Sequence, residues 1–348
     1  MKPFLNCRIQ YFKHLHLHQL YNGFYKLHKK GYINIDFEKK PGINKKQLLT
    51  VIINDKYKVI YDTLDGFNWI DGLLEEKLTY FKNNIDADFY FKRSYSPVLE
   101  DYKPKGLLIY PLGFNYSMDP PVHHIYDTKD LFKHCLKNLP LLRRYHSRRT
   151  FSSSHFEFPP VMNKENGILF LTRLWNPNSV KRERLKHDRD EINSERISVI
   201  RECKKTFGDQ FLGGLKIDDY SSNVAPDLLM PSSLTNTVTY LETVKNHEIC
   251  IATNGLRGST GFKFGEYIAA SRAIISEPLT YQVPGNFTKG VNYLTYSNSE
   301  ELIQNITNLI EDPELLHSMM VNNYQYYNNY LNPEKLVLNS LLKVHQHI

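Results

Sequence analysis

Cysteine is scarce in this sequence, and what there is does not pair. Four of the 348 residues are cysteine, Cys7, Cys135, Cys203 and Cys250. No two form a C-x-x-C pair, two fall in predicted helices and one in a predicted strand. That excludes a disulfide-framed domain and a Cys-based zinc site, and it points to reduced thiols in the cytosol. Long apolar runs are missing too. No stretch approaches the roughly 18 apolar residues of a membrane-crossing helix. The first residues, MKPFLNCRIQYFKHLHLHQL, lack the apolar core of a signal peptide. The expectation is a cytoplasmic protein. Tryptophan occurs twice, whereas Tyr and Phe number 24 and 19, a composition that suits sugar-binding clefts. Neither sign of charge is short: 44 Lys and Arg against 37 Asp and Glu leave +7. Such a balance aids solubility, and it suits an anionic ligand, an anionic membrane surface or nucleic acid. No nucleic-acid-binding motif accompanies it, so no nucleic acid is expected as a partner. At this length, with 41% apolar residues, the chain has room for two soluble domains.

What is present centres on residues 249–278, ICIATNGLRGSTGFKFGEYIAASRAIISEP. Residues 249–253 read as a buried strand. Residues 254–261 carry three glycines and read as a loop. Residues 262–271 read as a helix with Phe264, Ile268 and Ser271 on one face, and residues 273–276 as a second strand. The whole is a βαβ unit. The first N–H groups of a helix have no partner inside it, and with the macrodipole they favour an anion. Ser259 or Thr260 could cap this helix, while Gly258 and Gly261 let a ligand approach the backbone. Lys263 puts a positive charge in the first turn, against the dipole, which suggests a bound anion. Glu266, one turn further, could reach a ribose hydroxyl. A plain surface loop before an ordinary helix is the other reading of the same letters.

The run GFKFGEYIAASRAIISEPL resembles the donor-site segment of GT-B glycosyltransferases, where K-x-x-E-Y-x-A-A-x-x-x-I-x-S recurs. The resemblance extends over about residues 165–335 and is thin before that. It implies an α/β protein of GT-B fold: two Rossmann-like domains with a cleft between them, and C-terminal helices packing back on the first. The implied domains are 1–155 for the acceptor, 165–330 for the donor, and a helix over 331–348 returning to the first. The implied activity is hexosyl transfer from a nucleotide-sugar donor to a glycan, glycolipid or polysaccharide acceptor, with no metal or other cofactor. Glu266 matches the glutamate that contacts the donor ribose, with Lys263, Tyr267, Ala269 and Ala270 beside it. Arg173 resembles the basic residue that follows the first donor-domain strand and contacts the diphosphate. Donor binding then falls to Gly258, Ser259, Thr260, Gly261 and Glu266, and catalytic stabilisation of the leaving diphosphate to Arg173 and Lys263. Retaining members often carry another glutamate eight positions before Glu266, where this chain has Gly258. Retention, inversion and a silent module that only binds nucleotide or glycan therefore stay open.

Upstream, residues 10–30 read as a helix containing His14, His16, His18 and His28. Spacing of i, i+2 puts these on opposite helix faces with no carboxylate or Cys nearby, so no metal site is expected. Residues 32–38, 48–53 and 57–62 read as strands, the last two joined by a turn at Asn54 and Asp55. Residues 70–83 read as an amphipathic helix. The D-x-D of Asp86 and Asp88 precedes its apolar run, residues 89–91, and so reads as a turn. Residues 106–112 read as another strand. Ligand crevices in open α/β sheets lie at the carboxyl ends of strands. Lys92, Arg93, Asn115, His123 and His124 are therefore candidates for the acceptor or cleft wall. Residues 128–149 read as a helix ending in RRYHSRR, either a solvated end or a contact for an anionic membrane surface or a phosphorylated acceptor. Residues 152–167 read as a linker.

The second half opens with a strand over 168–175 and a helix over 181–205 whose mixed charges read as a solvated face. Strands are expected at 211–215, 227–230 and 291–296. Helices are expected at 234–247, 299–311, 313–330 and from 333 onward.

Overall fold

A strand stands where the sequence reading begins its first helix. Leu5–Tyr11 forms β1, with Leu5, Cys7 and Ile9 buried and Asn6 and Arg8 exposed. This alternation is the period of a strand with one buried face. The helix α1 begins only at His18 and runs to Lys29, after a single 3-10 turn at Leu15–Leu17. The computed structural model describes residues 3–39, 47–121, 151–162 and 167–348. The predicted helix over 128–149, its RRYHSRR end, Cys135, His123 and His124 lie outside the described residues.

Contacts divide the chain into two units. One is Met1–His155 with Gln282–Pro284 and Asn329–Ile348, the other Phe156–Tyr281 with Gly285–Asn328. In the first unit, β1 and α1 are followed by β2 (Ile33–Lys39), β3 (Leu48–Ile53), β4 (Tyr57–Asp62), α2 (Leu74–Asn84), β5 (Phe89–Lys92) and β6 (Leu108–Pro111). The sheet order is β2-β1-β3-β4-β5-β6. Strand β3 runs antiparallel to both neighbours, and the other pairs are parallel. The carboxyl ends of β1, β4, β5 and β6 thus share one edge. The β3–β4 turn takes left-handed geometry at Asn54 and Asp55 (φ 52 and 56), which these short polar residues tolerate. Helix α2 starts later than predicted because Gly72 sits at φ 146, outside helical space. The Glu76 carboxylate then accepts the Leu73 N–H at 2.6 Å. The C-terminal helix, Pro333–His345, belongs to this unit, and its Leu336, Val337, Leu341 and Val344 join the core of α1 and the sheet. Gly23 of α1 makes that possible. A Cβ there would lie 2.1 Å from the Pro333 carbonyl oxygen.

The second unit contains β7 (Ile168–Thr172), α3 (Glu183–Phe207), β8 (Phe211–Lys216), β9 (Leu229–Met230), α4 (Thr237–Lys245), β10 (Ile249–Ala252), α5 (Phe262–Ala269), β11 (Ala273–Ser276), β12 (Tyr293–Thr295), α6 (Ser299–Glu311) and α7 (Pro313–Tyr326). The predicted strand over 227–230 shrinks to β9, because Pro226–Leu228 forms a 3-10 turn. The predicted helix over 313–330 leaves α geometry at Tyr327–Leu331, a π turn. All sheet pairs are parallel, in the order β12-β11-β10-β7-β8-β9. Numbered from β7, this is the doubly wound order 3-2-1-4-5-6 read from the other edge. The direction of winding reverses between β7 and β10. The α/β class with two Rossmann-like sheets is thus what the chain forms, the first sheet carrying one antiparallel strand.

The entry to the second unit is clamped behind α5. Ser271 (φ 57) donates its hydroxyl to the Phe158 carbonyl at 2.6 Å. Arg272, fully buried, donates to the carbonyls of Ala270, Lys245 and Pro159 at 2.6, 3.2 and 3.0 Å. Among the described residues no helix is long and apolar enough to cross a membrane.

Candidate functional site

In a doubly wound sheet the connections leaving the two strands at the reversal turn to opposite faces and leave a crevice outside the carboxyl ends. Arg173 is the first residue after β7, and its guanidinium lies 4.0 Å from the centre of the Trp175 ring. Helix α3 holds this turn. Asn193 donates to the Trp175 carbonyl and accepts its N–H, both at 2.8 Å. Arg196, 7% exposed, donates to the Arg173 carbonyl at 2.7 Å and to the Thr253 hydroxyl at 3.1 Å. One guanidinium therefore ties together the turns after β7 and β10, on both sides of the reversal. The solvated face read from residues 181–205 is corrected here: Asn193, Arg196, Ile200 and Cys203 are buried at helical spacing. Burial pushes the Arg196 pKa down to about 10, and the Arg173 charge pushes the same way.

Lys263 reaches the same place from the first turn of α5. Its ammonium sits 4.0 Å from the centre of the Tyr240 ring. Burial lowers its pKa to about 8. Glu266 opposes that shift, while Arg196 and Arg173 add to it. The three cations thus lie within one another's field, and among the described residues none of them forms an ion pair. Glu266, 8% exposed, accepts the Tyr240 hydroxyl at 2.8 Å.

The loop over 254–261 is less open than the sequence reading has it. Gly255 N–H donates to the Ser259 carbonyl at 2.6 Å and Ser259 N–H to the Leu256 carbonyl at 3.2 Å. Asn254 N–H donates to Glu277 Oε2 at 2.7 Å. Ser259 is buried. Neither it nor Thr260 caps α5: the N-cap is Gly261, with no side-chain bond. Gly258 has φ 66, and a Cβ there would lie 2.8 Å from Thr280 Oγ1. A glutamate at that position, eight before Glu266, would be strained and crowded. Gly261 has open space where a Cβ would point.

The first-unit candidates separate. Lys92, read as a cleft-wall residue, has a fully buried side chain. It donates to Asp62 Oδ1 at 3.1 Å and to the Leu64 carbonyl at 2.9 Å. Asp62 also accepts Trp69 Nε1, the Tyr90 hydroxyl and the Leu64 N–H. This is a satisfied core network. Arg93 and Asn115 do meet at the carboxyl edge. Arg93 donates to Asn115 Oδ1 at 2.7 Å and pairs with Asp65. Asn115 in turn approaches His16 Nδ1 at 3.5 Å. Burial, then the Arg93 charge, pushes the His16 pKa down to about 4, so this ring is neutral near pH 7. Asp86 and Asp88 serve the turn before β5, bonded to the Lys58 ammonium and N–H, both at 2.7 Å. Among the described residues no three His, Cys, Asp or Glu side chains gather as a metal site.

Arg196, Tyr240 and Trp175 were not singled out by the sequence. For Arg196 a signal existed, a polar residue at the spacing of an apolar helical stripe. For Tyr240 there was none, since its partners lie more than twenty residues away.

No family model matches the chain, and no curated protein does. Among solved structures it is similar to HepE of Anabaena in complex with UDP and glucose, at 10% identity over 92% of this chain and 89% of that one, with a TM-score of 0.43. It is similar to the pneumococcal O-GlcNAc transferase GtfA in complex with UDP and GlcNAc, at 12% identity over 93% of this chain, with a TM-score of 0.41. It spans 54% of that structure. A third is the C-terminal domain of a glycosyl transferase group 1 family protein, LpcC, from Francisella tularensis, at 11% identity over 52% of this chain and 98% of that one, with a TM-score of 0.34.

Proposed function

We propose that this chain is a glycosyltransferase, and that its nucleotide-sugar donor sits at the carboxyl end of the second unit's sheet. One observation carries the reading. Arg173, Arg196 and Lys263 converge beside the reversal between β7 and β10 without an ion-paired carboxylate. Asp218, Glu277 and Glu266 lie within the field of Arg173, Arg196 and Lys263 respectively, yet among the described residues none forms an ion pair with these cations, so a donor diphosphate would be their direct partner. In the transfer, the bond from the sugar's anomeric carbon to the diphosphate breaks and a bond to the acceptor oxygen forms. Negative charge grows on the departing diphosphate, where Arg173 and Lys263 would stabilise it more than in the ground state. Glu266 would accept a ribose hydroxyl. With cations in that role no metal is required. A glycan, glycolipid or polysaccharide acceptor, hexosyl transfer and cytoplasmic work beside an anionic membrane surface complete the reading.

The test is a thermal-shift screen of UDP-, GDP-, CMP- and dTDP-sugars, followed by transfer assays with and without EDTA. A donor at 100-fold its Kd should stabilise the protein by about 2.7 kcal/mol. A screen in which no nucleotide sugar stabilises it would overturn the donor site. Activity lost on chelation and restored by Mn²⁺ or Mg²⁺ would overturn metal independence. The geometry at Gly258, where a second acidic side chain would be strained and crowded, favours a second reading, a silent nucleotide- or glycan-binding module. Donor binding with neither hydrolysis nor transfer would select it.

A further inference from the structure

We infer that Tyr240 is the positioning residue of the donor site, one ring that fixes both the cation facing the phosphates and the carboxylate facing the ribose. The inference rests on the proposed donor site and asks what holds its two halves at a set separation. Lys263 and Glu266 stand three residues apart on α5, on long flexible side chains that would otherwise wander or collapse onto each other as a helical ion pair. Tyr240 intervenes. Its ring face takes the Lys263 ammonium at 4.0 Å, and its hydroxyl donates to Glu266 Oε2 at 2.8 Å. The face of an aromatic ring attracts a cation while its phenol donates to an anion, so one side chain with two rotatable angles serves both charges. Burial, and next the Glu266 charge, raises the hydroxyl's pKa well above its usual value, so it remains a proton donor to the carboxylate. The ring itself is anchored. Asn236 caps α4 by accepting the Thr239 N–H at 3.1 Å, and Leu241 and Val244, further along the helix, are buried.

The two functions of the ring come apart in two variants. Tyr240→Phe keeps the face under Lys263 and removes the bond to Glu266. Tyr240→Leu removes both. Calorimetry with UDP, GDP and inorganic pyrophosphate reads them separately, since pyrophosphate has no ribose. For Tyr240→Phe, the nucleoside diphosphate that binds the unaltered chain should bind roughly tenfold more weakly, with pyrophosphate affinity unchanged. Tyr240→Leu should weaken both. Glu266→Gln added to Tyr240→Phe should cost little more than either alone, because both act through the same contact. A merely structural tyrosine would lower the melting temperature and weaken the ligands alike, and that result would overturn the inference. So would Tyr240→Phe binding each ligand as the unaltered chain does. Should Tyr240→Leu fail to fold, Tyr240→Phe and Glu266→Gln still decide. If the unaltered chain binds neither nucleoside diphosphate nor pyrophosphate, the donor site itself falls and this inference with it.

Discussion

The guanidinium of Arg196 donates to the backbone carbonyl of Arg173, so one arginine holds the turn on which the other stands. The same group reaches Thr253 across the reversal of the sheet. An ammonium on a lysine stem cannot span both turns as a planar fork does. Arg196→Lys should therefore fold, yet bind donor roughly tenfold more weakly by calorimetry, on the scale of one lost charged hydrogen bond. Equal affinity in the two proteins would reduce Arg196 to a packing residue.

Arg173 and Lys263 should matter more to turnover than to donor binding. If both meet the leaving diphosphate, Arg173→Ala and Lys263→Ala should lower kcat more than they raise KM. Arg173→Lys should rescue poorly, since the flat guanidinium that stacks on Trp175 is also the one that can fork onto two phosphate oxygens. Steady-state kinetics on folded variants settle this, and near-normal kcat in both alanine variants would move the phosphate site elsewhere.

Lys263 also sets a pH dependence. Its pKa falls from 10.5 to about 8, so it loses its proton well before an unfolded-chain lysine does. Donor affinity should decline as pH rises through about 8, and Lys263→Arg should remove that decline up to about pH 10. The unliganded protein should behave oppositely. Between about pH 8 and 10.5 the unfolded chain holds a proton at this position that the folded chain has released, so this group's contribution to stability rises with pH. Calorimetric titrations at stepped pH measure the first effect, and urea melts of the unaltered chain and Lys263→Met the second.

Asp62 and Lys92 make a different kind of pair, buried and structural. Lys92→Met would leave the Asp62 carboxylate in the core without its cation, with Trp69, Tyr90 and the Leu64 N–H still pointing at it. Breaking such a pair from one side costs about 3–5 kcal/mol. The double change Lys92→Met with Asp62→Asn should cost less than the single one. Denaturant unfolding gives both numbers, and a single change costing under about 1 kcal/mol would show that water reaches the carboxylate.

The parts of this architecture that could be read in advance are those written in short-range pattern. The run of β-branched residues at 249–253 and the glycines after it announce a strand and a turn, and β10, the loop and α5 follow. The hairpin at Asn54 and Asp55 is equally local. β1 shows its alternation only through polar and charged outward residues, Asn6 and Arg8, in a stretch rich in histidine just beyond; no element is read over residues 5–9, and the helix read from residue 10 takes in the last two residues of the strand. Lys92 looks like a surface residue at a strand end. Its counter-charge lies thirty residues earlier, and only the β4–β5 pairing brings Asp62 beside it. The two-sided role of Tyr240 is likewise tertiary, set by how α4 and α5 pack.

The clamp behind α5 fixes where the second unit can be cut. Phe158 and Pro159 accept from Ser271 and Arg272, immediately after the helix that carries Lys263 and Glu266. A truncated chain starting at Gly167 would leave the Ser271 hydroxyl and part of the Arg272 guanidinium buried without acceptors. Each loss is on the order of 1–3 kcal/mol. Expression of this half alone should therefore begin no later than Phe156. Proteolytic trimming past Pro159 should loosen α5 before it affects the strands behind it.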